Sequence, residues 1–162
     1  MIDNHSDSYN DAFDYFVPEE YIEAKNLSLS YRRGLILHLL YVLEMHDYEL
    51  PLETLRYYYH IDFHIIIEHD DPALVTVQKI IDLKNELDEK IKKYLHSWDI
   101  ERLSIIVKLI LRYSFFELLH TTQDAKLIIN EGVELAKSYA ESESYKFVNG
   151  ILDNYCKKNN RK

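Results

Sequence analysis

The chain has 162 residues, a mass of 19.4 kDa and a formal charge of −9, which suits one domain, or two small halves sharing a core, and opposes broad nucleic-acid affinity. It holds 3 glycines and 3 prolines, and Gly34, Gly132 and Gly150 are too scattered for a phosphate-cradling loop, so turn-rich β folds and nucleotide-dependent enzymes are disfavoured. The single Cys156 excludes an intramolecular disulfide, the aspartate-rich start lacks signal-peptide character, and no segment approaches the roughly 18 to 20 apolar residues of a membrane span. A cytoplasmic protein with no membrane segment is the expectation.

Residues 1–25 carry Asp3, Asp7, Asp11, Asp14, Glu19, Glu20 and Glu23 against Lys25 alone, whereas the remainder is nearly balanced. Residues 1–17 show no sustained period and read as a mobile acidic tail. Pro18 can open a short helix, PEEYIEAK, since proline and glutamate both suit a first helical turn. Residues 1–27 are thus an N-terminal extension, 28–157 the folded body and 158–162 a basic tail.

From Ser28 to Met45, Leu35, Leu39 and Val42 recur at helical spacing, Ile36 and Leu43 widen the stripe, and Ser28 or Ser30 can serve as N-cap. Residues 51–67 are ambiguous, because Pro51 opens a helix while YYYHIDFHIII favours a strand by propensity. A helix is preferred there, since a lone strand would leave its backbone groups unpaired. Residues 73–95 read as one helix after Asp71-Pro72, with Leu74, Val77, Ile80 or Ile81, Leu87, Ile91 and Leu95 on one face and Glu86/Lys90 and Asp88/Lys92 as i,i+4 pairs.

Ser97 or Asp99 then caps IERLSIIVKLILRYSFFELL, where Leu103, Ile106, Leu109 or Ile110 and Tyr113 repeat helically. This segment is apolar nearly all round, which predicts the buried centre of the fold. Thr121-x-x-Asp124 opens a helix with Ile129, Val133, Ala136 and Ala140 as its stripe. The last segment contains Asn149-Gly150, a dipeptide that announces a hairpin turn, yet Phe147, Val148, Ile151, Leu152 and Tyr155 keep the helical period. A helix capped by Ser142 or Ser144 is predicted, with Gly150 admitting a neighbouring helix and Asn149 bracing buried backbone.

Candidate chemistry is sparse. His60, His64 and His69 stand among Asp62, Glu68, Asp70 and Asp71, a conceivable zinc set that a solvated surface explains better. No H-E-x-x-H motif or nucleophile triad is present, and Cys156 has no evident base. Tyr57, Tyr58 and Tyr59 can stack bases, but tyrosines on helices more often pack a ring and leave the hydroxyl wet. Arg32 and Arg33 near the start of the first long helix, with Lys146 beside Phe147, make a small phosphate-and-stacking set.

INEGVELAKSYAESESYKFVNGILD, residues 129–153, closely resembles the signature of the NusB transcription antitermination family, I-N-E-A-[VI]-E-L-A-K followed by a short acidic loop and S-x-K-F-V-N-G-[VI]-L-D. WDIERLSIIVKLILRYSFFELL (98–119) and RRGLILHLLYVLE (32–44) extend the resemblance over roughly residues 28–157. It implies an all-α fold of two small helical bundles packed across one another, without catalytic activity or cofactor. It further implies binding of boxA RNA in nascent ribosomal RNA transcripts, together with the ribosomal protein NusE, on the transcription elongation complex.

Carried over by position, Arg33, Glu143, Ser144, Lys146 and Phe147 are RNA-binding candidates, joined by Arg32 from the phosphate-and-stacking set, with burial in the apolar stripe as the alternative for Phe147; Tyr41 is the partner-binding candidate. The chain departs from the family in having only Lys25, Arg32 and Arg33 near the first helix, behind an acidic tail that can fold back over Arg32 and Arg33. Weaker RNA binding alone and heavier reliance on the partner are expected. A protein-interaction or dimerisation module that has lost RNA binding is the rival reading. An RNA-methylating enzyme is disfavoured for want of room and of a cofactor loop.

Overall fold

Ser28 ends the N-terminal extension by accepting a hydrogen bond from the Tyr31 N–H at 3.4 Å, and α1 runs from there over Leu29–Met45. The computed structural model describes residues 20–96 and 99–162, so the tail reading for 1–17 and the Ser97 cap lie outside the described residues. Within α1 most of the expected stripe is buried: Leu35, Ile36, Leu39 and Leu43 lie in the core and Val42 is half-buried against it. Over its described residues, 20–25, the segment before it is not the expected helix PEEYIEAK. Ile22–Glu23 form a short strand, β1, and Ala24–Asn26 a single 3-10 turn.

The partner of β1 corrects a second expectation. Leu52–Phe63 form α2, but His64 takes a left-handed conformation (φ 53°) that ends the helix, and Ile65–Ile66 become β2. β1 and β2 pair in parallel, Ile22 opposite Ile65, with the Ile22 N–H bonded to the His64 carbonyl at 2.9 Å. The β-branched run therefore has a strand to satisfy it, supplied from far upstream, where periodicity does not reach.

The span 73–95 is broken into α3, Pro72–Asp82, and α4, Lys84–Lys92. The apolar stripe hides the break because Ile80 and Leu87 keep seven-residue spacing across it, and both are buried. Asp71 caps α3 through the Ala73 N–H at 2.8 Å. Neither expected i,i+4 pair is the one made: Lys92 bonds Glu89, while Asp88 turns to Arg112.

Asp99 caps only a 3-10 turn, Ile100–Arg102, and Ser104 caps the long helix α5, Ile105–His120. α5 is buried along nearly its whole length, from Val107 through Leu118. It packs against α1, α3 and α4 on one side and against α6, Ala125–Tyr139, and α7, Ser144–Asn159, on the other, so two small bundles cross on one central helix. In α6, Asp124 is the N-cap, and the buried stripe is rotated from the expected one: Ala125, Ile128, Gly132, Leu135 and Ala136 face inward.

α7 is a helix through Asn149-Gly150, as its period requires. Neither Ser142 nor Ser144 caps it, because Glu143 adopts a left-handed conformation (φ 73°) and occupies the cap position. Gly150 is exposed, and a Cβ there would meet nothing within 4 Å, so no helix approaches it; Asn149 is exposed as well. The close approach is at Gly132 instead, where a Cβ would lie 2.8 Å from Ser114 Oγ and 3.1 Å from Leu152 Cδ1. The residues after α7 are seated on the fold: Arg161 donates to the Leu118, Thr121 and Gln123 carbonyls at 2.8 to 3.2 Å and so caps the C-terminal end of α5.

Charged side chains tie α1 and α4 to the central helix α5 inside the core. Arg112, 2% exposed, makes a bidentate contact with Asp88 (2.7 and 2.8 Å) and reaches Glu44 at 2.7 Å, while Lys108 meets Glu44 at 3.1 Å. Tyr48 donates its hydroxyl to the same Glu44 carboxylate. Burial opposes ionisation of Glu44, but the bonds from Tyr48, Lys108 and Arg112 outweigh it and hold the carboxyl down at about 2.

Candidate nucleic-acid interface

Arg32 and Arg33 are adjacent on a helix, so their side chains leave α1 about 100° apart. Arg33 points inward. Its Nη1 lies 2.7 Å from Glu117 Oε2, Nη2 donates to Gln123 Oε1 at 3.0 Å, Nε is 3.6 Å from Glu131 Oε2, and the guanidinium sits 5.5 Å from the Tyr113 ring centre. Burial pushes the Glu117 carboxyl up against the pull of Arg33, and the Glu117 contact keeps Arg33 charged although burial opposes it. The position predicted from sequence as a phosphate contact is thus committed to joining α1, α5 and α6.

Arg32 is half-buried and donates Nη2 to the Lys25 carbonyl at 2.6 Å, leaving its Nε without a hydrogen-bond partner among the described residues. The end of α6, which leads into the acidic loop before α7, comes close to α1: a Cβ on Gly34 would stand 2.9 Å from the Tyr139 hydroxyl. Glu141 anchors this loop by accepting from Ser104 at 3.1 Å and from Ser144 at 3.3 Å. The loop therefore rests on the N-cap of α5.

The first turn of α7 brings together the remaining candidates. Glu143 and Lys146 are exposed and paired with each other, and Lys146 also lies 5.8 Å from the Tyr145 ring centre, which Lys137 approaches to 5.6 Å from α6. Phe147 is half-buried, its inner part packed against the core. Ser144, Lys146 and Phe147 thus stand within the first turn of α7, the Ser144 hydroxyl bonded to Glu141, Lys146 paired with Glu143 and Phe147 half-buried. Arg33 is separated from it by burial.

Tyr41 lies on a different surface. It lines an apolar groove of about 480 Å³ with Leu27, Tyr31, His38, Phe63 and Ile65. Tyr31, Phe63 and Tyr139 on its walls are 75%, 50% and 56% exposed. Sequence reasoning missed this groove, although Tyr31, Gly34, His38 and Tyr41 form a second stripe at i,i+3 and i,i+4 spacing beside the core stripe of α1. The histidines predicted as a conceivable zinc set are used otherwise: His60 and His64 each stack on Tyr21 at 4.7 Å between ring centres, and His69 approaches Glu53 at 2.9 Å. Among the described residues no three His, Cys, Asp or Glu side chains converge as a metal site, and no helix is long and apolar enough to cross a membrane.

This arrangement of α5 between two small bundles is shared with a solved structure, NusB from T. maritima. The two superpose with a TM-score of 0.68 at 26% identity, covering 82% of this chain and 92% of that one. The sequence model of the NusB family matches residues 31–157, and the chain belongs to that family. It is similar to the transcription antitermination protein NusB of Staphylococcus haemolyticus, 40% identical over 121 residues, 71% of this chain and 88% of the relative. It is also similar to that of Macrococcus caseolyticus, 51% identical over 81 residues, where the match spans half of this chain and 62% of the relative's length.

Proposed function

We propose that this chain is an antitermination factor that binds boxA-type single-stranded RNA together with NusE. The observation that carries the RNA side is the cluster at the start of α7, where Lys146 is exposed and Phe147 keeps part of its ring at the surface. Lys146 supplies a phosphate contact, Phe147 a stacking face for an unpaired base, and Ser144 a hydroxyl for a base edge. Arg32 adds a second cation on α1. Arg33 acts at a distance, by holding α1 against α5 and α6.

The groove around Tyr41 supplies the partner side. Tyr31, Phe63 and Tyr139 leave large rings exposed on its walls, apolar surface that a partner can cover, and Tyr41 is the residue that the family resemblance assigns to the partner. Glu143 has a regulatory place in this reading: Lys146 exchanges its carboxylate for a phosphate when RNA binds.

One specific observation favours the rival, an interaction module without RNA binding. Arg33 is buried and Lys146 is neutralised by Glu143, so few cations face outward at the candidate site. An RNA pull-down with boxA and a scrambled control, each with and without NusE, separates the two. Enrichment of boxA only when NusE is present supports the proposal. No enrichment in either case favours the rival.

A further inference from the structure

Gly150 weakens α7, and nothing within the fold requires it. A mid-helix glycine is less favourable than alanine, yet a Cβ at this position would meet nothing within 4 Å. An exposed glycine of this kind leaves the helix backbone open to close approach from outside the chain. It shares an outer stripe of α7 with Lys146, Asp153 and Lys157, which stand at i, i+7 and i+11 around Gly150 at i+4.

Beside this stripe, α6 and α7 enclose a groove of about 400 Å³ whose walls are polar, unlike those around Tyr41. Lys126 and Asn130 line it from α6, Asn149, Asp153 and Lys157 from α7, and Arg161 and Lys162 from the segment beyond. Basic side chains thus outnumber the one carboxylate on its walls, in a chain whose formal charge is −9. Asp153 pairs with Lys157 at 2.5 Å, and Arg161 is bound to carbonyls at the end of α5. Lys126 and Lys162 are exposed and have no ion-pair partner among the described residues. The exposed side-chain amides of Asn130 and Asn149 likewise have no hydrogen bond among them.

Unpaired lysines suit phosphates, amides offer both a donor and an acceptor to base edges, and bare helix backbone lets a strand lie close. The groove also continues the candidate RNA surface, because Lys146 of the first turn lies one turn before Gly150 on the same stripe. From Lys146 to Lys157 the helix advances about 16 Å. We propose that the α6–α7 groove is a second RNA subsite, holding nucleotides that flank the element bound at the first turn of α7. Lys126 and Lys162 meet phosphates there, Asn130 and Asn149 meet bases, and the strand comes closest to the helix at Gly150. This subsite rests on the RNA reading above and adds to it a length of bound strand.

The test uses the full chain with NusE and labelled boxA oligonucleotides, bare or extended by about four nucleotides at the 5′ or the 3′ end, in fluorescence anisotropy. One extended RNA is expected to bind about tenfold more tightly than bare boxA, with a salt slope steeper by about 1.4 for two added phosphate contacts. Lys126→Gln/Lys162→Gln is expected to remove the gain and the added slope while leaving the affinity for bare boxA unchanged. Gly150→Leu is expected to raise the thermal midpoint and still reduce the gain, which a merely structural glycine would not do. Binding of boxA with no gain from either extension, or a gain that survives in folded Lys126→Gln/Lys162→Gln, overturns the subsite. A gain untouched by Gly150→Leu overturns the close approach at Gly150. If neither bare nor extended RNA binds, the RNA reading itself falls and takes the subsite with it.

Discussion

Arg33 of α1 and Glu117 of α5 meet at 2.7 Å with side chains only 10% and 6% exposed, and Gln123 and Glu131 complete the shell around the guanidinium. Breaking a buried pair by removing one partner leaves an uncompensated charge, at a cost of about 3 to 5 kcal/mol. Arg33→Ala is therefore expected to lower the thermal midpoint sharply, whereas Arg32→Ala, at a half-buried site, changes it little. Thermal unfolding followed by circular dichroism checks both; equal midpoints for the two variants would contradict the structural role of Arg33.

This pair also marks where sequence reading stops. Helix existence was legible from period: α1, α5, α6 and α7 lie in the segments their stripes predict, although the buried face of α6 is rotated from the expected one, and the all-apolar segment is the centre. What periodicity cannot see is a non-local partner. It could not distinguish Arg32 from Arg33, since adjacent basic residues look alike until α5 and α6 are placed, nor supply β2 with a strand from the extension. The break at Leu83 was invisible because the seven-residue spacing from Ile80 to Leu87 survives it. The candidate stretch Ser144 to Phe147 was legible as a motif, but the groove around Tyr41 was not, since its walls come from α1, α2, β2, α5 and the end of α6.

The two glycines predict opposite outcomes. Gly150 lies exposed in mid-helix with open space where a Cβ would go, so Gly150→Ala should stabilise by about 0.5 to 1 kcal/mol through helix propensity alone. Gly132 faces Ser114 and Leu152 at close range, so Gly132→Leu should destabilise by about 1 to 3 kcal/mol through overpacking. Urea unfolding midpoints measure both, and a stabilised Gly132→Leu would refute the assigned packing.

Acid should loosen the α1–α4–α5 junction. The Glu44 carboxyl falls from an ordinary 4.5 to about 2 in the folded chain, so its ionised form is favoured by folding. The sign follows: the contribution is fully present above pH 4.5 and disappears as pH drops toward 2, with a magnitude of roughly 3 kcal/mol. Burial pushes Glu117 the other way, so Glu44→Gln isolates the effect. Stability measured between pH 6 and pH 3 should fall less steeply in Glu44→Gln than in the wild type; parallel profiles would count against the depressed carboxyl.

Few cations face the candidate RNA surface, which fixes the expected salt response. With Lys146 and Arg32 as the phosphate contacts, the slope of log K against log salt should be about −1.4 for single-stranded RNA without NusE. Fluorescence anisotropy with a labelled boxA oligonucleotide between 50 and about 200 mM salt measures it. A slope several times steeper would mean that cations elsewhere on the chain carry the binding. Glu143→Gln, by freeing Lys146, should strengthen binding in the same assay.

The measurement that bears most directly on the proposed function is the affinity for boxA RNA in the presence of NusE, compared among wild type, Phe147→Asp and Lys146→Glu, with circular dichroism confirming that each variant folds. The account predicts tight boxA binding by the wild type and a loss of about tenfold or more in each variant, in keeping with one lost stacking or phosphate contact, while NusE binding is unchanged. Wild-type protein and NusE that together fail to distinguish boxA from a scrambled RNA, or folded variants that bind it as well as the wild type, would contradict it.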